Sequence, residues 1–246
     1  MRELLKKIVH WWPWPLTLNE KYDRQTKAVL KKVCKADSIC IDVGCFRGDI
    51  LKAMITAAPK ARHKAFEPVP SQFSLIQRLY GDQVDVYPYA LGNANDQTTF
   101  HHVISNPTYS GLQQRAYKGE ETINEINVEV RRMEDVIEPE TPVSVIKIDV
   151  EGGELDVMRG AEGLLQHWHP YIIFEHGIGG ADKYGVQPGD VHDFLVGRLG
   201  YAICLMGDFL KGRSDKAFSR IAFEEQFWAG TDCYFLAVPE SEPSNA

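Results

Sequence analysis

Cysteine is sparse and unpaired in this sequence. The five residues, Cys34, Cys40, Cys45, Cys204 and Cys233, are scattered with no C-x-x-C pair, which argues against a disulfide framework or a cysteine-based zinc site and fits a reducing, cytoplasmic compartment. No run reaches the roughly 18 apolar residues of a membrane-spanning helix. The start also lacks the apolar segment and cleavage site of a signal peptide. Positive charge is in short supply: 27 Lys and Arg stand against 34 Asp and Glu, a formal net charge of -7. Nucleic-acid binding, which depends on clustered cations neutralising phosphates, is therefore not expected. Internal repeats, low-complexity tracts and interdomain linkers are missing as well. The 246 residues, 44% hydrophobic, read as one large domain over 37–239, preceded by an arm and helix over 1–36 and followed by a frayed tail over 240–246.

The arm contains LLKKIVHWWPWPL, in which Leu4, Leu5, Ile8 and Trp11 or Trp12 share a helical face beside Lys6 and Lys7. That composition suits peripheral contact with a membrane surface. It equally suits packing of the tryptophans on the domain or on a second copy of the chain, with Pro13 and Pro15 stopping the helix. Next, NEKYDRQTKAVLKKVCK reads as a helix with Tyr22, Ala28, Val29 and Val33 on its inner face.

From Ser38 onward strands and helices alternate. SICIDVG, HKAFEP and VDVYPYALG read as strands. Between them lie the helices DILKAMITAA, ended near Pro59, and SQFSLIQRLYG, with Ser71 capping its first turn and Gly81 ending it. Near-continuous apolar runs joined by helices are what an α/β parallel sheet covered on both faces requires. TTFHHVI and INVEVRRM, around the link SNPTYSGLQQRAYKGEE, interrupt the rhythm as an inserted hairpin or long loop. The alternation then resumes with strand VSVIKIDV, helix ELDVMRGAEGLLQ, strand YIIFEHG, helix GDVHDFLVGRLG and strands YAICLM and CYFLAVP.

CIDVGCFRGDI, Cys40 to Ile50, passes from strand through two glycines into a helix. Ligands of open α/β sheets sit at the carboxyl ends of the strands. Asp42, Gly44 and Gly48 therefore stand where a ligand is expected: the glycines let backbone approach it, free N–H groups at the helix start would accept a carboxylate, and Asp42 suits an ammonium group. Glu67 closes the second strand nineteen positions beyond Gly48, where an acidic side chain commonly grips ribose hydroxyls. Each feature also has a structural reading, the turn as tight packing and Glu67 as a helix cap, but together they favour a nucleoside ligand. GCFRG is G-x-x-x-G and lacks the dinucleotide fingerprint, with Phe46 filling space a pyrophosphate would need. A nicotinamide-linked oxidoreductase and a catalytically silent binding scaffold are two proteins that such a pocket could serve.

The segments IDVGCFRGDI, AFEPVPSQF, YALGN, VEVRRMEDVI, VIKIDVEGGELDVMRGAEGLL and PYIIFEHG, in this order from Ile41 to Gly177, resemble the FkbM family of S-adenosylmethionine (SAM)-dependent methyltransferases. The resemblance implies a class I, Rossmann-like sheet whose last strand, CYFLAVP, is reversed. It implies SAM as cofactor, with Asp42, Gly44 and Gly48 in the loop at its methionine end. It also implies Glu67 on the ribose and Ala90 and Leu91 beside the adenine. Cys45 and Phe46 stand in that loop where the family usually has small or polar residues. O-methylation of a sugar, glycan or natural-product hydroxyl is the activity implied.

A hydroxyl must be positioned and lose its proton during such a transfer. Lys147, Asp149 and Glu151 alternate along the fourth strand and its exit, and Glu175 and His176 end the fifth. In one mechanism His176 takes the proton and Asp149 or Glu175 orients it. In the other, Asp149, Glu175 and His176 hold Mg²⁺, which acidifies the hydroxyl. The structural readings are capping for Asp149 and Glu151 and a counter-ion role for Lys147. His101 and His102 have no matching carboxylate spacing. Acceptor choice falls to the arm, the NPTYSGLQQRAYKG segment and the loop around GADKYGVQPG: Tyr109, Tyr117 and Tyr184 suit stacking on a sugar, and Arg115 or Lys118 an anionic group.

Overall fold

The computed structural model describes residues 17–115, 117, 119–213 and 216–240. The tryptophan-bearing arm, Lys118 and the tail beyond Glu240 lie outside the described residues. At the centre, β1 (Ile39–Val43) pairs in parallel with β2 (His63–Phe66) on one side and β7 (Val143–Ile148) on the other. These short apolar runs are buried along nearly their whole length, as strands covered on both faces must be. With β3 (Val84–Tyr87), β8 (Tyr171–Glu175), β9 (Tyr201–Leu205) and β10 (Tyr234–Pro239) they form a seven-stranded sheet in the order β3-β2-β1-β7-β8-β10-β9. β10 runs antiparallel to both its neighbours, as expected for CYFLAVP. This is the class I methyltransferase-like architecture.

Helix α1 (Leu18–Val33) is capped by the Thr17 hydroxyl, which accepts the Glu20 N–H. Tyr22, Thr26, Val29 and Leu30 recur at helical spacing and are buried, while Ala28 and Val33 are only half-buried. The Thr26 hydroxyl reaches the Met206 sulfur at 3.6 Å, which makes a polar residue tolerable there. Tyr22, Val29 and Leu30 share a core layer with Cys40, Leu51 and Leu236, so α1 packs on the sheet itself. α2 (Asp49–Ala57) and α3 (Pro70–Tyr80) complete that side. Ser71 does not cap α3: the helix begins at Pro70, whose missing N–H costs nothing in the first turn, and the free N–H of Val69 goes to Glu67. Gly81 does end it, donating to the Gln77 carbonyl.

VDVYPYALG is two strands rather than one. Pro88 has no N–H for a ladder, and there the chain leaves the main sheet. β4 (Tyr89–Leu91) instead joins a three-stranded sheet, parallel to β6 (Ile123–Arg131), which pairs antiparallel with β5 (Asp96–Val103). The inserted hairpin is thus real and has gained a third strand. ELDVMRGAEGLLQ likewise splits, into α4 (Glu154–Arg159) and α5 (Glu162–Trp168). The break lies at Gly160, where a Cβ would stand 2.0 Å from the Gly92 carbonyl oxygen, so the chain is pressed against the small sheet. GDVHDFLVGRLG starts as α6 (Pro188–His192) and continues as a π-helical turn over Asp193–Arg198.

Two helices between β9 and β10 have no counterpart in the sequence reading: α7 (Met206–Leu210) and α8 (Arg220–Ala229). In α8, Phe223 and Phe227 enter the core while Ile221 and Trp228 face outward. Apolar residues on both faces hide the one-sided periodicity that marks a helix. No helix among the described residues is long and apolar enough to cross a membrane.

Candidate active site

The carboxyl ends of the central strands open into a cavity of about 290 Å³. The loop after β1 lines one end, with Ala90 and Leu91 of β4 beside it. α1 contributes Asn19, Tyr22 and Asp23, and the small sheet with its link contributes Phe100, His102 and Ser110.

Strand alternation decides which side chains arrive. Cys40, Val145, Ile173 and Leu236 belong to the core layer beneath α1 and α2. Asp42, Lys147, Glu175 and Tyr234 each lie two residues from one of them on the same strand and share their face. The apolar members anchor the sheet, and the polar members emerge at its carboxyl end.

Asp42 is 1% exposed, and neither of its oxygens has a hydrogen-bond partner among the described residues. Burial pushes its pKa up to about 6 against the pull of Lys147, whose Nζ is 3.8 Å away. The Leu51 amide helps to lower it without reaching hydrogen-bond geometry. A buried carboxylate with both oxygens open fits a cationic ligand, because leaving it unmatched is costly. A ligand ammonium group would supply that charge.

Glu67 is fully engaged on the protein side. Its Oε2 accepts the Phe46 N–H at 2.9 Å and its Oε1 the Val69 N–H at 3.0 Å. Burial raises its pKa to about 7 even so. The cap expected as the structural alternative is therefore present. It does not exclude a ligand, since each carboxylate oxygen can accept more than one hydrogen bond and Glu67 lines the cavity. Phe46 has φ 47, in the left-handed region, which costs a non-glycine residue roughly 1–3 kcal/mol. The Glu67 bond helps to hold it there.

The glycines answer to protein packing. Gly44 has φ 76, and a Cβ on it would lie 2.0 Å from the Asp149 carbonyl oxygen; Gly48 has φ 79, and its Cβ would meet Tyr80 at 2.7 Å and Ile76 at 2.9 Å. Their lack of a side chain lets the β1 loop sit against the β7 exit and α3. Cys45 is buried between them, its thiol pKa raised by that burial.

At the β7 exit, Lys147 Nζ stands 3.0 Å from Asp149 Oδ2, and the Tyr234 hydroxyl donates to the same oxygen at 2.5 Å. Burial would raise the Asp149 pKa, but Lys147 and then Tyr234 outweigh it and hold Asp149 below the ordinary carboxylate value. Burial alone would lower Lys147, yet Asp149 and Asp42 keep it above the ordinary lysine value. Glu175 goes the other way: burial first, and the Asp149 charge next, push its pKa well up. Asp149 thus holds its charge more readily than an ordinary carboxyl group, and Glu175 holds its proton more readily. Tyr22 stacks on Tyr234 at 4.7 Å and bonds Asp232, so α1 braces the tyrosine that holds Asp149.

Asp149, Glu175 and Lys147 come together as expected, but His176 does not. As the residue next to Glu175 it faces the opposite side of the sheet, buried against Phe223 (5.5 Å) and Phe227 (4.8 Å) of α8. Burial drives its pKa down to about 4, and its Nε2 has no hydrogen-bond partner among the described residues. Both roles expected of it, proton acceptor beside Asp149 and metal ligand with Asp149 and Glu175, are therefore corrected. Glu151 takes its place: oxygens of Asp149, Glu151 and Glu175 lie within 4.8 Å of one another. This set is already compensated from within, since Glu151 pairs with Arg115 and Asp149 with Lys147 and Tyr234. It makes a poor Mg²⁺ site for that reason.

Arg115 is likewise committed, to Glu151 and to the Gly179 carbonyl at 2.7 Å, rather than free for an anion. Tyr184 lines the cavity, whereas Tyr109 and Tyr117 stack on each other at 6.2 Å. Glu154 accepts the Val150 and Gly152 N–H groups and shapes the loop. Sequence reasoning missed Tyr234, Tyr22, Asp23 and His102 as cavity residues. Of these, only Tyr22 carried a local signal, its place on the inner face of α1.

A family model described as the Methyltransferase FkbM domain matches residues 42–203. Methyltransferase 1 of Beauveria bassiana is 30% identical over 161 residues, 54% of this chain and 61% of that protein. The 2-O-methyltransferase NoeI of Sinorhizobium fredii is 26% identical over 164 residues, 61% of this chain and 66% of that protein. The chain thus matches less than two thirds of either curated relative's length. Among solved structures, methyltransferase FkbM from Methylobacillus flagellatus KT shares the fold with a TM-score of 0.51 at 16% identity, over 82% of this chain and 44% of that one.

Proposed function

Because this chain belongs to the FkbM family of SAM-dependent methyltransferases, we propose that it transfers the methyl group to a hydroxyl oxygen of a small acceptor placed at Asp149. The observation that carries this is the state of Asp149: ionised, part-exposed to the cavity and held on Oδ2 by Lys147 and Tyr234. The name of the distant relative NoeI supports oxygen as the acceptor atom.

When bound, SAM supplies an electrophilic methyl carbon on a sulfonium. Asp42 would meet its ammonium group with two oxygens that have no hydrogen-bond partner among the described residues. Glu67 would take the ribose hydroxyls with its remaining lone pairs, and Ala90 and Leu91 would give the base an apolar wall. Asp149 accepts the acceptor's hydroxyl proton, and much of the rate comes from holding that hydroxyl in line. Lys147 and Tyr234 are positioning residues: they fix the Asp149 carboxylate and keep it charged until the proton arrives.

Incubation with methyl-labelled SAM and glycan or metabolite extracts, followed by mass spectrometry of the products, tests this. Label on oxygen is expected. Label on nitrogen, or no transfer by a protein that binds SAM, would count against it.

A further inference from the structure

Cysteine spacing marks no pair in the sequence, yet the fold brings two thiols together. Cys34 follows the last residue of α1, and Cys40 is the second residue of β1. Their sulfurs stand 3.7 Å apart. The turn between them is tied in both directions: the Ser38 hydroxyl accepts the Lys35 N–H at 2.9 Å, and the Ser38 N–H donates to the Lys35 carbonyl at 3.1 Å. Neither thiol lines the methyl-transfer cavity.

We propose that Cys34 and Cys40 are a redox site, a dithiol that a hydroperoxide closes to a disulfide and a thiol reductant reopens.

Access and acidity divide the work between them. Cys34 is half-buried, within reach of a small oxidant, whereas Cys40 is 0% exposed. The Cys40 thiol donates toward Cys34 and holds the Cys34 pKa below the ordinary thiol value; the same bond, with burial, pushes Cys40 well up. Lys31 and Lys32 in the last turn of α1 offset the negative end of the helix. Cys34 is therefore the attacking thiolate and Cys40 the resolving thiol. The other thiols do not compete: Cys45 and Cys204 are buried, and burial pushes Cys233 up to about 12.

Two steps complete the reaction. The Cys34 sulfur breaks the O–O bond of the hydroperoxide and takes one oxygen as a sulfenic acid, while the remainder leaves as an alcohol, or as water from hydrogen peroxide. The Cys40 sulfur then attacks the Cys34 sulfur, and the sulfenic oxygen leaves as water with the Cys40 proton. The thiols lose two electrons and the peroxide gains them. A disulfide spans about 2.05 Å, so the sulfurs close by roughly 1.7 Å. Transient bonds of this kind are the ones a reducing compartment permits.

The test treats the full chain with hydrogen peroxide, unfolds it in iodoacetamide and maps unreduced tryptic peptides by mass spectrometry. Residues 33–35 should appear joined to residues 36–47 through Cys34 and Cys40, with Cys45 alkylated, and dithiothreitol should separate them. Cys34→Ser should leave Cys40 a free thiol after peroxide. Cys40→Ala should leave Cys34 as a sulfenic acid that dimedone traps; should that core variant fail to fold, Cys34→Ser still carries the test. Alkylated Cys34 in the peroxide-treated wild type, a bond from Cys34 to Cys45 or to a second copy of the chain, or oxidation of Cys40 in Cys34→Ser would overturn the proposal.

Discussion

The Tyr234 hydroxyl donates to Asp149 Oδ2 at 2.5 Å across strands that are not neighbours in sequence. Losing a hydrogen bond to a charged group costs about 1.5–3 kcal/mol. Tyr234→Phe should therefore lower kcat roughly 10–100-fold with SAM affinity almost unchanged, and Asp149→Asn should lower it about 10²–10⁴-fold. Steady-state kinetics with the acceptor found by labelling, beside calorimetric SAM titration, separates the two effects. Equal loss of SAM binding in both variants would remove Asp149 from the chemistry.

Glu67 titrates at about 7 when buried, against an ordinary 4.5. Its folded pKa is raised, so its contribution to stability is present below about 4.5 and is lost as pH rises through about 7. Glu67→Gln cannot ionise and escapes that loss. The melting temperature of the variant minus that of the wild type should climb with pH across this window, as thermal melts in matched buffers would show. A difference independent of pH would mean that Glu67 is not buried as described. The same variant should bind SAM more weakly.

Asp42, at about 6, should be drawn into its charged form by a bound ammonium group. SAM binding near pH 6 should thus release protons and tighten as pH rises toward neutrality. Calorimetry in buffers of different ionisation enthalpy reads the proton count directly. An enthalpy that does not vary with buffer would break the assignment.

His176 is a core residue in this structure, lying flat against Phe223 with an interplanar angle of 6°. His176→Phe should fold and retain turnover, whereas His176→Ala should lose about 2 kcal/mol or more to the cavity it leaves. The folded pKa of about 4 lies below the ordinary 6.5, so the wild type should lose stability between those values on acidification, and His176→Phe should not. Collapse of kcat in His176→Phe at unchanged stability would restore a chemical role.

Gly44→Ala should cost roughly 3 kcal/mol or more, because the new methyl group collides with the Asp149 carbonyl at a positive φ. Gly197→Ala meets nothing within 4 Å at an ordinary φ and should be neutral or slightly stabilising. Chemical denaturation of the pair measures the contrast.

The parallel sheet was legible because its strands are short apolar runs bounded by glycines and prolines. Asp42, Glu67 and Asp149 were legible because each stands within a residue of the carboxyl end of such a run, where ligands gather. The error over His176 was avoidable: two adjacent residues of one strand cannot share a face, so Glu175 and His176 had to part. Tyr234 was not legible, because only the antiparallel register that sets it opposite Glu175 brings it to Asp149. Helix α8 stayed hidden because Ile221 and Trp228 carry its apolar character onto the solvent side.

Where the backbone changes sheets at Pro88, the molecule divides into two workshops. The large sheet carries Asp42, Glu67 and Asp149 at its carboxyl ends, while Phe100 and His102 line the same cavity from the separate small sheet. Substitutions at Phe100 or His102 can therefore reshape that cavity without touching the β1–β7 ladder that sets the carboxylates in place.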